Sequence, residues 1–119
     1  MATKVTTAPR FDREFKRLLR KYRHLRTELG DFAQQVQNDE RPGDKIPNVG
    51  YDVYKVRLAN PSAGRGKRGG FRVIYYVQLA DHVILLTIYS KTEQSDIPAQ
   101  TIQALINELV DPQTGASDE

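Results

Sequence analysis

Three features of this 119-residue chain predict an α+β fold with the element order ααββββα. Apolar residues recur at helical spacing between residues 9 and 38, β-branched and aromatic residues dominate 53 to 89, and a last helical stripe follows at 102 to 109. Two helices before a run of strands and one after it imply helices on one face of a small, mostly antiparallel, four-stranded sheet. The other face is then left partly open for a ligand.

Residues 1 to 8 read as a flexible N-terminal arm. Pro9 suits a first helical turn, and Phe11, Phe15, Leu18, Leu19 and Tyr22 define an amphipathic helix over about 9 to 23. Leu25, Leu29, Phe32 and Val36 give a second helix over about 25 to 38, despite Gly30, folded back on the first as an αα-hairpin. The turn formers from Asn38 to Asp44 end it. Lys45 to Val49 reads as a short edge strand, where Pro47 is tolerated.

Three strands follow, at Val53 to Leu58, Phe71 to Val77 and Val83 to Tyr89, with Asp81-His82 as the turn between the last two. Tyr75 and Tyr76 fall on opposite faces of one strand, so at least one is core, and Tyr54 packs under the helices. Ser95 or Asp96 is expected to cap a final helix that has Pro98 in its first turn and Ile102, Leu105, Ile106 and Leu109 on one face. Asp111-Pro112 stops this helix, which leaves a single domain over 9 to 110 and a disordered tail over 111 to 119.

Composition removes several classes of function. Without cysteine there is no disulfide scaffold, thiol nucleophile or Cys-ligated zinc. The N-terminus has no apolar leader and no stretch is long enough to span a membrane, so a cytoplasmic protein is expected. His24 and His82 lack the neighbours of a triad or metal site and read as surface residues. There is no Walker loop or paired-carboxylate motif, and Gly64-x-Gly66-x-x-Gly69 lies between strands instead of before a helix. No metal or cofactor is called for.

What remains is cationic. The net charge is +3, and from Val53 to Lys91 seven Lys/Arg face Asp81 alone. Alternation sends Lys55 and Arg57 to one face of their strand and Tyr54, Val56 and Leu58 to the other. Arg72 is the one charge in the next strand. Between these strands, the glycine-rich segment holding Arg65, Lys67 and Arg68 suits a mobile loop whose backbone approaches a phosphate. Arg10 to Arg26 carries eight cations, for which a solvated helix face is a simpler reading than a second nucleic-acid contact. Clustered Lys and Arg beside tyrosines can grip RNA, stack bases and stabilise the charge that develops on a phosphate. Attack by the RNA's own 2′-OH needs only a base, an acid and that stabilisation. These features leave plain RNA binding as open as cleavage.

The segments Lys55-Val56-Arg57-Leu58, Gly64-Arg65-Gly66-Lys67-Arg68-Gly69-Gly70-Phe71-Arg72-Val73-Ile74-Tyr75-Tyr76 and Leu85-Leu86-Thr87-Ile88-Tyr89-Ser90-Lys91-Thr92-Glu93-Gln94-Ser95-Asp96-Ile97 closely resemble the RelE/ParE toxin superfamily, nearest its HigB-like branch. The resemblance implies a RelE-like fold and the toxin of a type II toxin-antitoxin module. It further implies a cognate antitoxin, and an activity as a metal-independent, ribosome-dependent endoribonuclease that cuts mRNA in the A site. Lys55 and Arg57 then match the basic pair that binds the scissile phosphate or supplies the base, and Arg72 the arginine that stabilises the transition state. Arg65, Lys67, Arg68 and Glu93 fall at RNA-contacting positions, and Lys91 at a basic position after the last strand. The RelE pattern has an arginine next to the Lys91 position and a tyrosine near the start of the last helix, where this chain has Thr92 and Pro98. Tyr89 or Lys91 is the substitute for the group that protonates the leaving oxygen. The alternatives are a ParE-like inhibitor that binds DNA gyrase without catalysis, and a nucleic-acid-binding module that does not cleave.

Overall fold

The computed structural model describes residues 2–60 and 70–110. In chain order the elements are β1 (Lys4–Thr7), α1 (Pro9–Lys21), α2 (Leu25–Gln37), β2 (Asp44–Lys45), β3 (Val53–Leu58), β4 (Phe71–Leu79), β5 (His82–Ser90) and α3 (Ala99–Val110). The strands form one sheet in the order β1-β5-β4-β3-β2. β2, β3, β4 and β5 pair antiparallel, while β1 joins the far edge of β5 in parallel, Lys4 opposite His82 and Thr7 opposite Leu85.

Two expectations are corrected at the N-terminus. Residues 4–7 are not part of a flexible arm, and the sheet is five-stranded and mixed, not four-stranded. Local sequence hides β1 because its stability comes from distant partners. The Lys4 amide donates to the Asp81 carbonyl at 2.8 Å, the Ala8 amide to the Leu85 carbonyl at 2.9 Å and the Thr3 amide to the Gln37 carbonyl at 3.0 Å. Thr6 Oγ1 and His82 Nε2, 3.0 Å apart, add a side-chain bond. His82 is therefore a strand residue, and the β4–β5 turn is Ala80-Asp81.

The expected edge strand shrinks to Asp44–Lys45, opposite Lys55 and Tyr54. The chain then turns through the left-handed region at Asn48 (φ 66°) and Gly50 (φ 87°), and Val49 drops into the core. The tail over 111 to 119 and the loop cations Arg65, Lys67 and Arg68 lie outside the described residues.

The helices do not share one face. α1 and α2 place Phe11, Leu18, Leu25, Phe32 and Val36 against Val56, Leu58, Phe71, Val73, Tyr75, Val83, Leu85 and Ile88. Ile102 and Ile106 of α3 pack on the opposite face, against Val53, Ile74, Tyr76, Ile84 and Leu86. Sheets apolar on both sides need cover on both sides, and each fully buried Leu, Ile or Phe contributes about 1.5–3 kcal/mol. Tyr75 and Tyr76 take opposite faces as expected, and both are buried.

One irregularity controls which side chains meet on the α3 face. Ile74 pairs with Thr87 while Tyr75 pairs with Leu85, so Leu86 is an extra residue in β5. A bulge of this kind shifts the in-out alternation by one. Leu85 and Ile88 face α1 and α2, and Ile84, Leu86, Thr87 and Tyr89 face the other way.

Candidate nucleic-acid site

The α3 side of the sheet carries two cross-strand rows: Arg57–Arg72–Tyr89, and next to it Lys55–Ile74–Thr87. α3 packs in one cluster with Val53, Ile74, Tyr76, Ile84 and Tyr89, while Arg57 stays exposed and Lys55 half-buried. Gly70 joins the strands here. A Cβ at Gly70 would collide with the carbonyl oxygen of Leu58, so only glycine allows β3 and β4 to close this end. The Gly70 carbonyl in turn accepts the Lys91 amide at 3.0 Å, which ties the end of β5 to the same corner.

Depth separates the roles of the cations. Arg57 is exposed and Lys55 half-buried, whereas Arg72 is 4% exposed and Tyr89 1%. Arg72 and Tyr89 thus form a floor, with Lys55 and Arg57 at its rim. Arg72 Nη1 donates to the Phe71 carbonyl at 3.3 Å. Burial, and then the charge of Arg57, pull the Arg72 guanidinium below its ordinary pKa, while Tyr89 and Asp96 act the other way. Two guanidiniums placed so close favour an anion beside them.

The structure supplies one from an unexpected residue. Asp96 Oδ1 accepts the Tyr89 hydroxyl at 3.1 Å and lies 3.3 Å from Lys91 Nζ and 3.5 Å from Lys55 Nζ. Strands lie about 4.8 Å apart, so β3 and β5 are separated by about 10 Å across β4. The carboxylate spans that gap and gathers side chains from both sides. Burial works to raise the Asp96 pKa, but Tyr89, Lys91 and Lys55 outweigh it and hold it below the ordinary aspartate value. The Tyr89 hydroxyl is pushed up, first by burial and then by Asp96.

Lys55, Arg57, Arg72, Lys91 and Tyr89 therefore share one corner of the fold. Glu93 does not join them. Its carboxylate turns to α1, where it accepts from Arg17 Nη1 at 3.1 Å, Lys21 Nζ at 3.1 Å and the Tyr22 hydroxyl at 3.4 Å. Sequence reasoning treated Asp96 as a helix cap and so missed it. The Pro98 carbonyl accepts the Thr101 and Ile102 amides at the start of α3, and the Asp96 carboxylate is taken up by the lysines and Tyr89. The single available signal was an acid within five residues of Lys91, in a segment without helical or strand periodicity.

A groove of about 500 Å³ runs along the outer edge of β3 and is lined by Glu28, Asp31 and Asp44 as well as by Lys55 to Leu58. Its carboxylates repel phosphate, so it is unsuited to the same ligand. No group of His, Asp and Glu able to hold a metal ion occurs among the described residues.

Residues 11–114 match the family described as the RelE toxin of the RelE/RelB toxin-antitoxin system. The chain belongs to the RelE toxin family. A solved structure of an Escherichia coli RelE toxin mutant in the free state superposes with a TM-score of 0.54 at 18% identity, covering 94% of this chain and 98% of that one. At that identity the likeness establishes the RelE fold. Membership of the family makes this protein the toxin of a toxin-antitoxin pair, with an antitoxin as its partner. Among the described residues no helix is long and apolar enough to cross a membrane.

Proposed function

We propose that this RelE-family protein is a ribosome-dependent endoribonuclease that cuts mRNA in the A site. The observation that carries this reading is the convergence of Lys55, Arg57, Arg72 and Lys91 with Tyr89 on one corner of the sheet. Such a set provides everything that cleavage by the RNA's own 2′-OH demands. Arg57, always a cation, binds the scissile phosphate, and the Lys55 amine acts as the base that takes up the 2′-OH proton. The 2′ oxygen then bonds to phosphorus and the bond to the 5′ oxygen breaks, giving a 2′,3′-cyclic phosphate and a 5′-hydroxyl end.

Arg72 stabilises the negative charge that builds on the phosphate oxygens. Its fixed, desolvated position suits this role, because a preorganised donor needs no rearrangement as charge develops. Tyr89 or Lys91 returns a proton to the leaving oxygen. The raised pKa of Tyr89 keeps its proton in place at neutral pH, as an acid requires. Arg65, Lys67 and Arg68 grip the RNA backbone, and Glu93 anchors the segment after β5 to α1.

The test is incubation of the purified protein with programmed ribosomes and, in parallel, with naked mRNA, followed by primer extension. Cuts confined to the A-site codon and to the ribosome sample are expected, and Arg72→Ala should remove them. If neither sample is cut the cleavage reading fails, and inhibition of DNA gyrase becomes the next assay.

A further inference from the structure

We propose that Asp96 is a positioning residue whose carboxylate occupies, in the free protein, the seat that an RNA phosphate takes on binding, so that the two anions exchange. This rests on the reading that the basic corner receives RNA. Three groups converge on the single oxygen Oδ1: Tyr89 of β5 at 3.1 Å, Lys91 just after β5 at 3.3 Å and Lys55 of β3 at 3.5 Å. The carboxylate is also near enough to Arg72 to support the charge of that buried guanidinium. A non-bridging phosphate oxygen has the same charge and the same acceptor capacity, and the donors that hold Asp96 are those a phosphate requires.

The contact is also built to be broken. The Asp96 side chain is 56% exposed and the Lys91 side chain 36%, and ion pairs so open to water are held weakly. Residues 91–98 form neither helix nor strand, so Asp96 can withdraw without unfolding an element. Three residues earlier, Glu93 is fastened to α1 by Arg17 and Lys21, which fixes one end of the segment while Asp96 moves. In the free protein Asp96 neutralises the charge of Lys55 and Lys91 that a phosphate would meet. On binding, phosphate displaces that carboxylate.

The exchange is measured on the intact chain with a single-stranded RNA carrying 2′-O-methyl groups throughout, which cannot be cut. Asp96→Asn is expected to bind this RNA about three- to ten-fold more tightly, because a competing charge is gone. Asp96→Glu, which keeps the charge, should stay close to wild type. A residue that merely braced the segment would give the opposite result for asparagine, and equal or weaker binding overturns the proposal.

A second measurement needs no variant. Carbon-13 NMR of the Asp96 carboxyl during addition of inorganic phosphate should show its pKa climbing back toward the ordinary aspartate value as Lys55, Lys91 and Tyr89 leave it. A signal indifferent to phosphate overturns the exchange even if the asparagine variant fails to fold. Exchange without cleavage on ribosomes defeats the nuclease reading alone, whereas cleavage without exchange defeats only the role given to Asp96.

Discussion

Arg57 and Arg72 stand directly opposite one another on β3 and β4. Like charges in an antiparallel cross-strand pair destabilise a sheet by roughly 0.2–1 kcal/mol, and burial of Arg72 adds to its cost. Arg57→Gln is therefore expected to raise Tm by roughly 1–5 °C while lowering ribosome-dependent cleavage at least tenfold. Calorimetry alongside primer extension checks both. A variant that is less stable and fully active would remove Arg57 from the site.

Tyr89→Phe keeps the buried ring and deletes only the hydroxyl that reaches Asp96. If Tyr89 is the proton donor, single-turnover cleavage on ribosomes should fall by roughly 10²–10⁴, with Tm changed by only a few degrees. The Tyr89 pKa is raised above the ordinary tyrosine value of 10.0, so this donor remains protonated throughout the neutral and mildly alkaline range. A phenylalanine variant that cuts at the wild-type rate assigns proton donation to Lys91.

Glu93 ties the segment after β5 to α1 through ion pairs that depend on its charge. Burial acts to raise its pKa, but Lys21 and Arg17 prevail and leave it below the ordinary glutamate value of 4.5. Its contribution is thus complete above about pH 4.5 and is lost as the pH falls through the lower folded value. Thermal melts of wild type and Glu93→Gln should differ by a few degrees at pH 7 and converge as acid protonates the folded carboxylate. Added salt should narrow the neutral-pH gap, since the lysine and arginine partners are exposed. A gap that does not narrow as the pH is lowered would assign the effect to side-chain shape.

Thr87 lies beside the Arg72–Tyr89 floor, 1% exposed, and its hydroxyl has no hydrogen-bond partner among the described residues. An unsatisfied buried hydroxyl costs on the order of 1 kcal/mol or more, so Thr87→Val is expected to stabilise the fold by about that amount in denaturant titrations. Cleavage should be unchanged. A stabilised variant that cuts poorly would mean that the hydroxyl serves the substrate.

Much of the architecture was legible because it rests on local periodicity. Apolar residues three and four apart marked all three helices, and alternation in Val53–Leu58 placed Lys55 and Arg57 on one face and Val56 and Leu58 on the other, as observed. The run from Phe71 declared itself by β-branched and aromatic content, and Arg72 stood out as its lone charge. These features need only a residue and its near neighbours.

Tertiary structure decided the rest. Lys4–Thr7 becomes a strand only because β5 offers it a parallel edge, a partner more than seventy residues away. By strict alternation Tyr89 would share a face with Leu85. The extra residue Leu86 reverses that parity and turns Tyr89 beside Arg72. α3 takes the opposite face from α1 and α2 because both sides of β4 and β5 are apolar, which a hydrophobic run announces without saying which helix covers which side. Asp96 joins Lys55 to Lys91 over a gap of about 10 Å, the width of two strand spacings. Periodicity determined which side chains share an element and a face; pairing register, bulge and crossover determined which of them meet, because those depend on contacts between residues far apart in the chain.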